Sequence, residues 1–385
     1  MNKTTSNTYK IMLPDCEQTV YYGGRAVDAL KDLLDPKQCA GIVLVTGPTL
    51  HKRGIDSPII RTIEESGIPF SVFSETEADP STETVDKIAA LCLEQKTGLI
   101  IAFGGGSPMD AAKAASVLAV YGGHAADYEG GGKVPGPALP VVAIPTTAGT
   151  GSETTSFAVI TDGQRKVKMT ISSPYIIPGT VILDPDFLEE VPEKTAAYCG
   201  MDALIHALES YLSKAADPVS LAFSSEALRR IGKSIEPYVQ NRKDKKAALN
   251  ILIGSYLAGR AFNRARLGNV HALSHPLSAY FHLPHGLANA LLLPAVLDFN
   301  EEERYQQLEQ LIFDLPVPVY EPGSFAHQIR LLNERLNIPS SLKEAGVDSA
   351  FFEEMARDAL QSGNVQVNPR KTTLEDLIDI YRRSW

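Results

Sequence analysis

The chain has little cysteine, no long apolar run and no concentration of positive charge, and each shortage excludes something. Its 385 residues hold four cysteines, Cys16, Cys39, Cys92 and Cys199, far apart and without a CxxC spacing. So few in a chain of this size build no disulfide framework, which points to a reducing compartment. No run of about 18 apolar residues occurs, so no helix is expected to span a membrane. The opening MNKTTSNTYKIMLP lacks an apolar h-region and does not read as a signal peptide. A net charge of −10 and a pI near 5.4, with no strongly basic run, argue against nucleic acid or an anionic membrane as partner. Hydrophobic residues at 44% and charged residues at 21% describe an ordinary globular chain, long enough for two domains. The expectation is a cytoplasmic enzyme with a small-molecule substrate.

The first half alternates two kinds of segment. Ile42–Thr46, Phe70–Phe73, Leu99–Phe103 and Val141–Ile144 are short, apolar and rich in β-branched or aromatic residues. Between them, Ser57–Ser66 and Thr82–Gln95 read as helices. This alternation predicts a mostly parallel sheet covered on both faces. After about Asp184 the pattern turns helical to the C-terminus, where TTLEDLIDIYRRSW is a capped amphipathic helix. The boundary falls near 185–190, between an α/β part and an all-α part.

Two loops interrupt the α/β part. In LIIAFGGGSPMDAAKAASVLAV an apolar strand meets Gly104, Gly105, Gly106 and Ser107 before a helix that begins near Pro108. Glycines let backbone amides approach an anion, and a helix start adds unpaired donors and a positive dipole end, which suits a pyrophosphate. The alternative is a plain strand-to-helix turn with Ser107 as N-cap. The second loop, IPTTAGTGSETTS, offers hydroxyls at Thr146, Thr147 and Thr150, and on its own is a weak signal.

Five of the eight histidines, His206, His271, His275, His282 and His285, follow Asp202 within one region. Asp202 and His206 in DALIHALESY are one helical turn apart, as are His271 and His275, with His282 on roughly the same stripe. Pro284 before His285 argues that the helix has ended or kinked there. A carboxylate with several imidazoles suits Fe²⁺, Zn²⁺ or a similar divalent ion. The alternative is a set of hydrogen-bonded core histidines.

At GGGSPMDAAK, PTTAGTGSE, DALIHALESY, VHALSHPLSAYFHLPHG and NPRKTTLEDLIDIY the chain resembles the iron-containing (group III) alcohol dehydrogenase family. Its wider superfamily includes glycerol dehydrogenase and dehydroquinate synthase. The matches run from about residue 10 to 385, in order and at the family's spacing. The resemblance implies a dehydroquinate synthase-like fold: an α/β N-terminal Rossmann-like domain over 1–187 that binds the dinucleotide, and an all-α C-terminal domain over 188–385 that binds the metal. It implies hydride transfer between NAD or NADP and a small aldehyde or primary alcohol. Asp202, His206, His271 and His285 would ligate Fe²⁺, with Zn²⁺ the alternative. The bound ion would polarise the substrate oxygen. His275 matches a nonligand histidine beside nicotinamide and substrate, and would carry the proton; His282 would be structural. Gly104, Gly105, Gly106 and Ser107 would hold the pyrophosphate, Asp110 would lie near the nicotinamide, and Thr146, Thr147, Thr150 and Lys168 would line the rest. A homo-oligomer is expected on the same ground.

Two departures bear on specificity. Many NAD-using relatives carry an aspartate after the second strand; here VTGPTLHKRG has Gly47. Without that carboxylate a 2′-phosphate is not repelled, and Lys52 and Arg53 follow closely, so NADP is either preferred or merely tolerated. Relatives usually have Asn-Ala-x-Leu-Gly before VHA; here Arg264 takes the asparagine's place, with Arg266 two residues on. Arg264 would bind an anionic substrate group or form a helix-surface or intersubunit salt bridge. Phe157, Val159, Phe262 and Asn364 fall near family pocket positions. The rivals are a reductase of an oxo acid or anionic aldehyde on the same fold, and a dehydroquinate-synthase-like lyase, whose Lys/Arg phosphate cluster is not found.

Overall fold

In the computed structural model the described residues are 9–13, 18–301, 303–314 and 323–385; Cys16 lies outside them. They form two compact units. One takes the chain up to Thr147 with Ser152–Glu189; the other joins Ala148–Gly151 to Glu190–Trp385.

The apolar runs of the first unit are strands. In chain order these are β1 (Tyr9–Leu13), β2 (Gln18–Tyr22), β3 (Ile42–Val45), β4 (Phe70–Phe73), β5 (Leu99–Gly104), β6 (Gly130–Gly131), β7 (Val141–Pro145), β8 (Phe157–Asp162), β9 (Val167–Ser172) and β10 (Thr180–Leu183). Seven of them form one sheet in the order β1-β2-β10-β7-β5-β3-β4. Every pair in it is parallel except β1 with β2. β3 and β7 are buried along their whole length, as expected of central strands covered on both faces. The chain runs from β3 to the edge strand β4 and returns to β5 on the far side of β3. That reversal opens a crevice at the carboxyl ends of β3 and β5, the position where open α/β sheets bind ligands. The helices here are α1 (Leu30–Leu33), α2 (Pro48–Lys52), α3 (Ser57–Ser66), α4 (Thr82–Glu94) and α5 (Gly106–Tyr121). A small second sheet, β6-β9-β8, is not anticipated by the strand pattern; its β8–β9 hairpin turns just after Asp162-Gly163.

The second unit is helical: α6 (Glu193–Leu212), α7 (Pro218–Gln240), α8 (Lys245–Ala265), α9 (Asn269–Phe281), α10 (His285–Asn300), α11 (Tyr305–Phe313), α12 (Ser324–Arg335), α13 (Phe352–Leu360), α14 (Gly363–Val367) and α15 (Leu374–Ser384). α6 and α10 are buried on nearly every face, so they form its centre. Glycines let neighbours close onto them: a Cβ at Gly200 would press on Ile235 and Ile251. No helix among the described residues is long and apolar enough to cross a membrane.

One buried charge ties the first unit together. Lys113 on α5 has no exposed surface, and its Nζ donates to Ser152 O at 2.9 Å, Thr155 Oγ1 at 3.0 Å and Ser152 Oγ at 3.2 Å. Burial pushes its pKa down to about 8, against the pull of Asp110 and Glu153. Lys113→Met removes the donor and leaves these acceptors buried. The expected loss is about 3–5 kcal/mol in urea unfolding, the usual cost of breaking a buried charged network; a loss under about 1 kcal/mol would contradict this account.

Candidate metal centre and dinucleotide loops

Three helices of the second unit deliver the histidine cluster. α6 presents Asp202 and His206 one turn apart, both buried. α9 brings His271, and α10 starts at His285. Asp202, His271 and His285 each place a ligand atom within 4.8 Å of the others. Asp202 Oδ1 lies 3.7 Å from His271 Nε2, 3.7 Å from His285 Nε2 and 3.9 Å from His206 Nε2. The His206 ring stacks on His271 at 4.6 Å and on Phe262 at 4.5 Å. His275 stacks on His285 at 5.5 Å and meets His271 edge-on at 6.5 Å, a neighbour of the cluster and not a member. The expected stripe does not extend to His282: α9 ends at Phe281, and His282 caps it, exposed and in the left-handed region.

Gly286 makes the approach of α10 possible. A Cβ there would run into the Tyr198 carbonyl of α6 and sit 3.3 Å from Asp202 Cβ. Glycine after His285 therefore lets the start of α10 rest on the α6 backbone, beside the carboxylate that His285 faces.

The partners of the rings set their chemistry. His206 Nδ1 faces the Gly149 carbonyl at 3.2 Å, so it carries the proton and leaves Nε2 as a lone pair. His271 Nδ1 donates to Glu209 Oε2 at 2.7 Å. Asn289 Nδ2 donates to Asp202 Oδ1 at 2.7 Å and stands 3.2 Å from both His271 Nε2 and His285 Nε2, while its Oδ1 is buried without a partner. A carboxylate and imidazole nitrogens crowded around one amide donor form a donor set that fits a divalent cation.

Electrostatics agree. Burial, opposed by Asp202, pushes His206 down to about 3 and keeps it neutral. Burial favours a protonated Asp202, but His206, His285 and His271 override it and hold the carboxyl well below its usual range. Burial also opposes protonation of His271, yet its bonds to Asp202 and Glu209 carry it up to about 9. The cluster thus attracts one positive charge, and a proton takes that place on His271 when no ion does.

Glu209 and Asn289 were not among the residues the sequence suggested. Glu209 lies seven positions after Asp202 and Asn289 four after His285, on the ligands' own helix faces, and that spacing was their signal.

The glycine loop and Thr146–Thr147 belong to the first unit, whereas Ala148–Gly151 group with the helical one. Gly104 ends β5 with φ +153°, and a Cβ there would meet Pro108 Cγ at 2.6 Å. The helix starts two residues earlier than Pro108, and its N-cap is Gly105 rather than Ser107, with no side chain capping it. Ser107 and Pro108 lie inside the first turn, so the amides of Gly106 and Ser107 have no acceptor within the helix. Thr146 N bonds Gly104 O at 2.9 Å, and Thr147 Oγ1 lies 3.2 Å from where a Gly105 Cβ would be. Gly47, following β3, caps α2 in extended conformation. Gly47, the glycine loop and Thr146–Thr147 thus sit at the carboxyl ends of three adjacent strands, β3, β5 and β7. Asp110 accepts from Ser152 Oγ at 2.5 Å and from the Val159 amide at 3.0 Å.

The remaining expected residues scatter. Lys168 is exposed on β9 and pairs with Asp79 at 2.8 Å. Phe157 and Val159 are on β8, partly and well exposed. Thr150 is exposed, in the short segment grouped with the helical unit. Asn364 is on α14. Arg264 forks onto Asp217 at 2.6 and 3.2 Å, and the bond holds Asp217 down to about 2. That pairing is the one the salt-bridge alternative describes.

A Rossmann-like sheet with a glycine loop, joined in sequence to a helical unit with an Asp/His cluster, defines a metal-dependent dehydrogenase. The chain belongs to the iron-containing alcohol dehydrogenase family: the family model "Iron-containing alcohol dehydrogenase" matches residues 17–185, and "Fe-containing alcohol dehydrogenase family, C-terminal" matches 196–385. It is 34% identical to alcohol dehydrogenase 4 of Saccharomyces cerevisiae (strain YJM789) over 95% of this chain and 96% of that protein. It is 35% identical to the NAD-dependent methanol dehydrogenase of Bacillus methanolicus over 89% and 91%. Its structure resembles a 1,3-propanediol oxidoreductase with a TM-score of 0.91 at 33% identity, covering 95% of this chain and 97% of that one.

Two outcomes follow. Gly286→Ala, which pushes His285 away from Asp202, lowers divalent-metal affinity at least about tenfold; unchanged affinity in chelator competition contradicts the close-approach argument. Below about pH 9 an entering ion must displace the His271 proton. Affinity therefore rises about tenfold per pH unit and levels off above that point; a flat profile between pH 6 and 9 contradicts this.

Proposed function

We propose that the chain is a metal- and nicotinamide-dependent alcohol dehydrogenase that acts mainly as a reductase of small aldehydes. The observation that carries this is the grouping of Asp202, His271 and half-buried His285, whose ligand atoms lie within 4.8 Å of one another, with buried His206 Nε2 3.9 Å from Asp202 Oδ1 and the His206 and His271 rings oriented by Gly149 and Glu209. The ion would be Fe²⁺, with Zn²⁺ fitting the same donors. When bound it supplies Lewis acidity toward a substrate oxygen. The protein's own residues do the rest. His275, exposed beside His285, is placed to move a proton to solvent. Phe262 supplies an apolar wall against His206.

The first unit would bind the dinucleotide, with the amides of Gly106 and Ser107 on the pyrophosphate and Asp110, oriented by Ser152, toward the nicotinamide. Thr146, Thr147 and Lys168 complete that proposed site; Phe157 and Val159 in this unit and Asn364 in the helical one are proposed to contact substrate, and Thr150, in the helical one, the cofactor. No carboxylate stands at Gly47, and Lys52 and Arg53 are exposed at the end of α2, which supports use of NADP as well as NAD. Arg264 pairs with Asp217, which supports a salt-bridge role for it over binding of an anionic substrate group. A cytoplasmic homo-oligomer completes the proposal.

The test is net oxidation of NADH and NADPH with a panel of short aldehydes after loading with Fe²⁺ or Zn²⁺. Turnover is expected, reduced at least about 100-fold by Asp202→Asn; loaded enzyme that consumes neither cofactor with any aldehyde overturns the reading. Gly47→Asp is expected to lower kcat/KM for NADPH relative to NADH by about tenfold, or about 1.4 kcal/mol. An unchanged ratio removes Gly47 from cofactor choice.

A further inference from the structure

The amides that open α9 are capped from a distance. Gly268, at the N-cap, has no side chain to offer. Asn368 Oδ1 accepts instead from the Asn269 amide at 3.3 Å. Glu209 Oε1 accepts from the Val270 amide at 2.7 Å, and Glu209 Oε2 from the His271 amide at 3.4 Å. The same Oε2 takes the proton of His271 Nδ1 at 2.7 Å. Glycine at 268 makes the room: a Cβ there would meet Glu209 Oε1 at 2.8 Å and Asn368 Oδ1 at 3.0 Å. Glu209 is only 5% exposed. A buried carboxylate is far costlier to desolvate than the neutral cap a helix needs, so capping alone does not explain its charge.

We infer that Glu209 is a positioning residue of the metal centre. It fixes the tautomer and rotation of His271 so that Nε2 faces Asp202, and its charge makes that nitrogen a stronger donor to a divalent ion. His206, whose Nδ1 faces only the neutral Gly149 carbonyl, receives no such charge. Asn368, from the NPRK segment, shares the cap and has no bond to the ring, so it separates the two roles. The inference rests on the reading of this cluster as a metal centre.

The experiment compares full-length wild type, Glu209→Gln, Gly268→Ala and Asn368→Ala. Zn²⁺ affinity is read by chelator competition, Co²⁺ coordination by its visible absorption, and folding by melting of the metal-free protein. Glu209→Gln keeps an acceptor oxygen for the cap. It is expected to melt near wild type, bind Zn²⁺ about 10–100-fold more weakly and shift the Co²⁺ bands. Asn368→Ala is expected to melt lower and bind Zn²⁺ as wild type does. Gly268→Ala, which displaces Glu209 without removing its charge, weakens Zn²⁺ binding and decides the matter should Glu209→Gln not fold. Wild-type affinity in Glu209→Gln, or in Gly268→Ala if that is the folded variant, overturns the inference. So does an equal loss of affinity in Asn368→Ala, since capping would then explain both. A wild type that binds no Zn²⁺, or binds it equally after Asp202→Asn, overturns the metal-centre reading instead.

Discussion

The second unit is organised around one buried carboxylate. Asp202 is 3% exposed, in a helix that is otherwise apolar on nearly every face. Left alone, such a group would be protonated or would destabilise the fold by several kcal/mol. It is kept ionised because α6, α9 and α10 each bring an imidazole to within 4 Å of it. Much of the local sequence serves that convergence. Gly286 lets α10 touch α6, and Gly268 leaves space for Glu209. The Gly149 carbonyl faces His206, which extends the centre into the four-residue segment Ala148–Gly151 that joins this unit.

The two cradles are built by different physics. The proposed anion cradle of the first unit is backbone: amide donors at a helix start, beside glycines at the ends of parallel strands. Its side chains matter chiefly by being absent, as at Gly104 and Gly47. The proposed cation cradle of the second unit is made of side chains, with His206, His271 and Asp202 each held by a further hydrogen bond. Loss of one supporting residue there changes the donor strength of a ligand without removing the ligand itself.

That difference explains what the sequence made legible. Ser57–Ser66 and Phe70–Phe73 are readable to the residue because their signals are local: proline in the first turn, glycine after the last, and an unbroken apolar run. The i,i+4 pair Asp202 and His206 is local too. The plain-turn alternative with Ser107 as N-cap rests on a serine beside a helix start, a strong local signal; the N-cap is Gly105, and close packing of Gly104 on Pro108 is invisible to local pattern. His282 fell off the stripe because α9 ends one residue earlier, a detail periodicity does not resolve. Arg264 found Asp217, 47 residues away, and no local pattern names such a partner. Glu209 lay on the right face, but its role depends on α9 presenting its bare amides to it, and that is tertiary.

The same contrast locates specificity. On the proposed reading, backbone amides would hold a pyrophosphate whatever nucleotide carries it, so discrimination between NAD and NADP would come from side chains at the ribose end, where Gly47 is proposed to lie. A metal with fixed ligands polarises a carbonyl oxygen whatever the rest of the aldehyde. Neither half of the chemistry selects a substrate by itself. Selection therefore lies in the residues that flank the two cradles and bond to neither ion nor phosphate. Phe262, stacked on the His206 ring and buried in the helix leading to α9, is one such flanking residue.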